Sequence, residues 1–275
     1  MTAHTEIDRG ERFAFGENWQ RFLAELDDDR IRAAEESLRA MLGVDTLDGK
    51  RLLDLGSGSG LFSLAARRLG AEVVSVDYDP ESVACGEELR RRYQPDDERW
   101  QTMSGSALDT AFLGTLGQFD VVYSWGVLHH TGDLWSALSN VVDLVAPGGQ
   151  LFISIYNDQG RSSRGWTRVK KTYVRSGAVG KRAIEASVSG YFRGREAVGT
   201  ALSIVRHRRL PERPTRARGM SRKHDLVDWV GGYPFEVAKP EQIFDFYRDR
   251  GFELTRLKTC GGGLGCNEFV FRRRA

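Results

Sequence analysis

The feature that most constrains this chain is a change of rhythm that recurs from residue 51 onward. Short apolar runs alternate with segments of helical spacing, and the first pair is joined by LLDLGSGSG, Leu52 to Gly60. RLLDL reads as a buried strand, and LFSLAARRLG then places Leu61, Leu64, Ala65 and Leu69 on one helical face, with Gly70 as a stop. EVVSVD is a second strand, and the helix after it opens with Asp79 as cap and Pro80 in the first turn. WQTMSGS and FDVVYS read as the third and fourth strands. A helix follows from Leu134, with Leu138, Val141, Val142 and Val145 on one side, and APGG turns into a fifth strand, QLFISIY. Strands alternating with helices predict an α/β fold, a parallel sheet covered on both faces. In such sheets ligands bind beyond the carboxyl ends of the strands, where strand order reverses.

The glycine run stands at the carboxyl end of the first strand. Gly56 and Gly58 permit backbone angles closed to other residues and allow close approach to the main chain, and Gly60 lets the next helix pack tightly. A tight turn with no ligand explains the glycines equally simply. Asp77, ending the second strand, adds a carboxylate suited to a pair of ribose hydroxyls. The run is G-x-G-x-G with Asp54 before it, not the G-x-G-x-x-G of dinucleotide enzymes.

LLDLGSGSG resembles motif I of the class I S-adenosylmethionine-dependent methyltransferases, VVSVDYDP their motif II and FDVVYSWGVLHH their motif IV. LVAPGGQLFISIY is similar to the segment that follows, and GFELTRLK with NEFVFRR to their closing antiparallel hairpin. The resemblance spans about residues 45–156 and 240–273. It implies a Rossmann-like sheet of seven strands, mostly parallel, with S-adenosylmethionine as cofactor. By resemblance Gly56, Ser57, Gly58 and Gly60 form the cofactor turn, and Asp54 either meets the ammonium or braces the loop. Asp77 holds the ribose, Tyr78 lies against adenine, and Ser106, Ala107 and Ser124 complete the cofactor contacts. Ser106 stands where many members have an acid, with Asp109 three positions on.

His129 and His130 follow the fourth strand, next to where the sulfonium would lie. A hydroxyl acceptor needs its proton removed, which suits an imidazole, and His130 is favoured; one of the pair could equally brace the loop. Candidate acceptor contacts are Trp19, Trp125, Tyr156, Trp229, Tyr233 and Glu236. The last three belong to DLVDWVGGYPFEVAKP, where they gather with Phe235, Asp225 and Asp228 around a turn.

Three regions are expected: a helical cap over 1–44, the cofactor domain over 45–156 and 240–275, and an insertion or lid over 157–239. The insertion is far longer than an ordinary connection. Residues 157–240 hold nineteen Lys and Arg against seven Asp and Glu, in a chain whose net charge is +2, so the remainder is acidic. Runs such as VRHRRL and RARG punctuate it, while Trp166, Val169, Val174 and Ile184 suggest amphipathic helices. A solvated face accounts for most of these arginines singly, while the net excess suits an anionic partner: substrate, nucleic acid or membrane surface. Three cysteines, Cys85, Cys260 and Cys266, predict neither a disulfide framework nor a zinc set, and no metal is expected. The polar amino terminus predicts no secretory leader and no spanning segment, hence a cytoplasmic protein. The expected function is methyl transfer to the hydroxyl of a small polar, anionic or glycosylated metabolite. RNA methylation through the basic insertion is the rival, against which stands SWGV where base-methylating members have NPPY; an inactive cofactor-binding scaffold is the other.

Overall fold

Each apolar run becomes a strand of one seven-stranded sheet. The strands are β1 (Arg51–Leu55), β2 (Glu72–Asp77), β3 (Trp100–Ser104), β4 (Phe119–Trp125), β5 (Val145–Tyr156), β6 (Phe252–Lys258) and β7 (Cys266–Arg273). The computed structural model describes residues 2–207 and 222–275. Strand order is β3-β2-β1-β4-β5-β7-β6. β1 to β5 run parallel, and β7 runs antiparallel to both β5 and β6. The chain steps outward from β1 to β2 and β3, then returns to lay β4 and β5 on the other side, so strand order reverses at β1 and β4.

Side chains alternate between faces along each strand. Leu53, Leu55, Val122, Ile153 and Phe269 build the core on one face, with α7 (Leu134–Asn140) and α11 (Pro240–Arg248). Leu52, Val73, Val121, Phe152 and Val270 build the other, with α3 (Asp28–Leu42), α4 (Leu61–Arg68) and α5 (Pro80–Tyr93). A buried hydrogen-bonded chain crosses this second face. The Trp100 indole N–H donates to Ser75, Ser75 bonds Ser63, and the Ser63 hydroxyl donates to Asp54 at 2.5 Å. Every link is satisfied, the condition under which polar groups rigidify a core.

α5 begins as its sequence demands, with Asp79 accepting from the Glu81 amide and proline in the first turn. The helix expected to continue to Val145 ends at Asn140, because APGG is not a simple turn before β5. The strand starts at Val145, and its register against β4 shifts between Phe119 and Val121. A Cβ on Gly149 would stand 2.8 Å from the Ala146 carbonyl oxygen and 3.0 Å from that of Asp120, so the bulge excludes any side chain there. A short helix α6 (Thr110–Thr115) had no clear signal in the sequence; Asp109 caps it by accepting from Phe112.

Before the sheet come α1 (Ala3–Asp8), α2 (Phe15–Leu23) and α3. The insertion is helical: α8 (Arg161–Arg175), α9 (Ala178–His207) and α10 (Arg222–Gly231). Trp166, Val169, Val174 and Ile184 pack inward, as their spacing implied, around buried Phe13, Tyr173, Val188 and Val230. Phe13 thus ties the amino-terminal arm to the insertion. Much of VRHRRL and all of RARG lie outside the described residues. Among the described residues no helix is long and apolar enough to cross a membrane.

The third glycine of the turn packs helix on helix. Gly60 caps α4 with φ +78°, and a Cβ there would stand 2.9 Å from the Gly86 Cα in α5. Gly60→Ala should therefore cost about 3 kcal/mol of stability, the sum of left-handed strain and backbone overpacking. Urea unfolding monitored by circular dichroism measures this; a loss below about 1 kcal/mol would mean that α4 and α5 part easily.

Candidate active site

The turn after β1 is fixed by β2. The Gly56 and Ser57 amides both donate to the Val76 carbonyl, at 2.7 and 3.1 Å, and the Gly58 amide donates to an Asp77 carboxylate oxygen at 2.9 Å. The second Asp77 oxygen accepts from the Asp79 amide at 2.9 Å. Burial pushes the Asp77 pKa up to about 6, against the two amides, which favour the ionised form. Asp77 thus offers a rigid, part-buried carboxylate with lone pairs to spare.

Two adjoining cavities, of about 230 and 290 Å³, open beyond these strand ends. Both are walled by Phe15, Trp19, Gly56, Gly58, Trp125, Gly126 and His130, and they form one crevice with an outer and an inner lobe. The outer lobe adds Asp77, Tyr78, Gly105, Ser106, Ala107, Leu108 and, from the arm, Glu6 and Arg12. The inner lobe adds Asp54, Ser57, Phe62, Tyr123, Tyr156, Trp229 and Cys266. Its walls are largely aromatic: Phe62 stacks on Tyr123 with ring centroids 5.1 Å apart, and Tyr156 lies 5.0 Å from Phe235 behind it.

The arm closes the crevice from above. Trp19 covers the turn so closely that a Cβ on Gly58 would lie 2.8 Å from its indole nitrogen. Arg12 donates to Glu6 at 2.5 Å and to the His130 carbonyl at 2.9 Å, with its guanidinium 4.9 Å from the centre of the Tyr78 ring. The Tyr78 hydroxyl in turn donates to Glu6.

His130 is buried where the lobes meet. Its Nδ1 lies 2.6 Å from the Pro234 carbonyl oxygen, which can only accept, so Nδ1 carries the proton and Nε2 keeps its lone pair. Burial first, and Lys170 second, push its pKa down to about 3. His129 walls neither lobe. It is buried among His130 and Tyr156, one ring nitrogen bonds the Ser154 backbone, and burial holds it well below the ordinary value. Its Nδ1 has no partner among the described residues. The loop-brace alternative is what its surroundings support.

Several other sequence candidates lie away from the crevice. The Ser124 hydroxyl donates to the Leu55 carbonyl at 2.8 Å, stitching β4 to β1. Tyr233 lines neither lobe, and its carbonyl accepts from the Phe13 amide. Glu236 accepts from the amides of Gly132 and Leu134, at the start of α7, and burial raises its pKa. Gly60 serves helix packing, as above. Asp109 caps α6, so the acid near Ser106 does not reach the crevice; the Ser106 hydroxyl itself accepts from the Leu108 amide. The side chains of Asp225 and Asp228 lie outside the described residues. Among the described residues no group of three or more His, Cys, Asp and Glu could hold a metal ion.

Sequence reasoning missed Arg12, Phe62, Tyr123 and Lys170. Only Lys170 left a trace: it continues the inward stripe Ser163, Trp166, Lys170, Tyr173 of α8, where an apolar residue is the norm.

Comparison with known proteins shows what this chain is similar to. Residues 53–151 match the sequence profile of a family described as a methyltransferase domain. Ubiquinone biosynthesis O-methyltransferase of Xanthomonas campestris pv. campestris (strain B100) is 37% identical over 113 residues, covering 40% of this chain and 45% of that protein. The chain thus spans about half the length of the curated relatives it matches. Magnesium protoporphyrin IX methyltransferase of Synechocystis PCC 6803, solved with bound S-adenosylhomocysteine, superposes with a TM-score of 0.54 at 15% identity, over 94% of this chain and 93% of that one. An N-methyltransferase of Bradyrhizobium japonicum WM9 superposes with a TM-score of 0.51 at 15% identity, over 91% and 100%. Residues 53–151 thus carry a methyltransferase domain, and the sheet around it has the fold of S-adenosylmethionine-binding methyltransferases. The family's cofactor is S-adenosylmethionine. The residues present fit it: a glycine turn, a carboxylate with free lone pairs for a diol, and an aromatic ring beside it, all facing one crevice.

Proposed function

We propose that the protein methylates a hydroxyl on a small, flat, largely apolar acceptor held in the inner lobe. Bound S-adenosylmethionine supplies a methyl group activated by positive charge on sulfur. The outer lobe would take its nucleoside part, with Asp77 accepting from the ribose hydroxyls and Tyr78, Ala107 and Leu108 flanking the base. Gly56, Ser57 and Asp54 lead toward the inner lobe and suit the amino-acid part; Asp54, already braced by Ser63, reaches it through one carboxylate edge.

The observation that carries the reading is the His130 ring. It lies at the junction of the lobes, with Nδ1–H committed to Pro234 and Nε2 available to accept. A hydroxyl is the natural partner for a neutral imidazole nitrogen, because the O–H donates while an oxygen lone pair remains for the methyl carbon. The curated relatives' names, which specify O-methyl transfer in ubiquinone biosynthesis, support oxygen over nitrogen. Aromatic walls favour a planar apolar body over the glycosylated metabolite expected from sequence. The insertion, which brings Trp229 to the inner lobe, acts as the lid.

The Asp77 carboxylate gives a pH signature for cofactor binding. Ribose hydroxyls donate to the ionised form, so affinity is full above pH 6 and falls as the carboxyl protonates below it. S-adenosylhomocysteine binding measured by calorimetry should weaken about tenfold between pH 7.5 and 5. Asp77→Asn should weaken it about 30–100-fold at pH 7.5 and flatten the profile. Equal affinity at both pH values would remove Asp77 from the site.

His130 should behave differently. Because its pKa lies near 3, turnover should not follow an imidazole titration between pH 6 and 8.5. With methyl-labelled S-adenosylmethionine and a small-molecule extract, mass spectrometry should show one methyl added to a hydroxyl. His130→Ala should cut that rate about 10²-fold while calorimetric affinity for S-adenosylhomocysteine stays within about twofold. Label on an amine, or near-normal turnover in the variant, contradicts the reading.

A further inference from the structure

Lys170 is the most unusual side chain outside the crevice. It comes from the middle of α8, is wholly buried, and its ammonium donates to the Trp229 carbonyl. Three rings surround the charge: Trp229 and Phe235 at 4.7 Å and Tyr156 at 5.4 Å, nitrogen to ring centre. A buried ammonium is costly unless donors and π faces replace its water. A methionine would fill the same space without that cost.

One of the rings that hold Lys170, that of Tyr156, also lies against His130. Tyr156 lies 5.5 Å from the His130 ring and 4.2 Å from that of His129. Pro234, which accepts from His130 Nδ1, adjoins Phe235 in the chain, and Trp229 walls the inner lobe. We propose that Lys170 is a positioning residue: by clasping Trp229, Tyr156 and Phe235 it docks the insertion on the strand ends, and its fixed positive charge keeps His130 an uncharged acceptor with Nε2 open to the crevice. The charged and titratable groups around His130 are Lys170 from α8, Arg12 from the arm, and His129 and Tyr156 beside it. Arg12 is paired with Glu6, and the Lys170 ammonium lies against the ring faces and the Trp229 carbonyl. Both cations oppose a proton on the imidazole, and Lys170 does so more strongly.

The proposal rests on the reading of His130 as the hydrogen-bond acceptor for the substrate hydroxyl, but its test needs no turnover. Two-bond ¹H–¹⁵N spectra of the ¹⁵N-histidine-labelled full chain, without cofactor or acceptor, report each ring's tautomer and titration. The His130 signals are assigned from a His130→Gln sample. Wild-type His130 should be the Nδ1–H tautomer and remain uncharged down to about pH 4.5. Lys170→Met should move its midpoint up by about one pH unit or more, a tenfold change in proton affinity, and Lys170→Arg should restore the low value. An Nε2–H tautomer in the wild type, or a charged His130 at pH 6, overturns the proposal. So does an unchanged midpoint in folded Lys170→Met. If Lys170→Met does not fold, Lys170→Arg decides: a midpoint still below about 4.5 supports the charge, and a return to the ordinary histidine value overturns it. Failure of methyl transfer with the expected spectra would instead count against the reading of function.

Discussion

One carbonyl oxygen organises the molecule. Val76 O, at the end of β2, accepts the amides of both Gly56 and Ser57 as the chain leaves β1. That splice turns the loop back over the strand ends and aims the Gly58 amide at Asp77. It also directs α4 so that Gly60 meets Gly86 of α5 at helix-packing distance. A non-glycine residue at position 56 would drive its Cβ into Val127, at 2.3 Å, the residue before the turn that carries His130. The cofactor loop, the helix layer and the histidine turn are therefore mutually fitted, and all three stand where strand order reverses.

Around this frame the charges are arranged by depth. Asp77, at the crevice, has a carboxylate poised near neutral pH, while deeper in, His129 and His130 are kept uncharged. Lys170 keeps company with three aromatic rings and a carbonyl oxygen. Such an interior favours an uncharged imidazole, an ionised carboxylate at the mouth of the crevice and an apolar ligand body within it. The arm and the insertion meet there, since Phe13 and Phe15 pack on each other, on Tyr173 of α8 and on His130.

The frame was legible because its signals are local. Leu52 to Leu55 and Val73 to Val76 alternate between two cores, Asp79 and Pro80 open a helix, and Gly56 and Gly58 take positive φ where the turn needs it. The lining of the crevice was legible where it lies on that frame, as for Asp77, Tyr78, Trp125 and His130. It was not legible where contacts span the chain. Arg12 meets a carbonyl 118 residues away and Lys170 one 59 residues away; nothing in the sequence foretells the partner of either, though the stripe of α8 turns Lys170 inward. Ser124 and Glu236 went astray for a related reason: each has a polar group whose backbone partner, Leu55 O or the amides before α7, is set only by the fold. APGG deceived because a bulge and a turn share the same residues.

The central claim is that one crevice seats the cofactor with its reactive end toward His130 and the aromatic lobe. A crystal structure of the protein with S-adenosylhomocysteine tests it most directly. The account predicts the ribose on Asp77, the base beside Tyr78 and Ala107, and the sulfur facing the inner lobe, with Nε2 of His130 turned to the same space. A ligand bound elsewhere, or in this crevice with its sulfur directed away from His130, would contradict it.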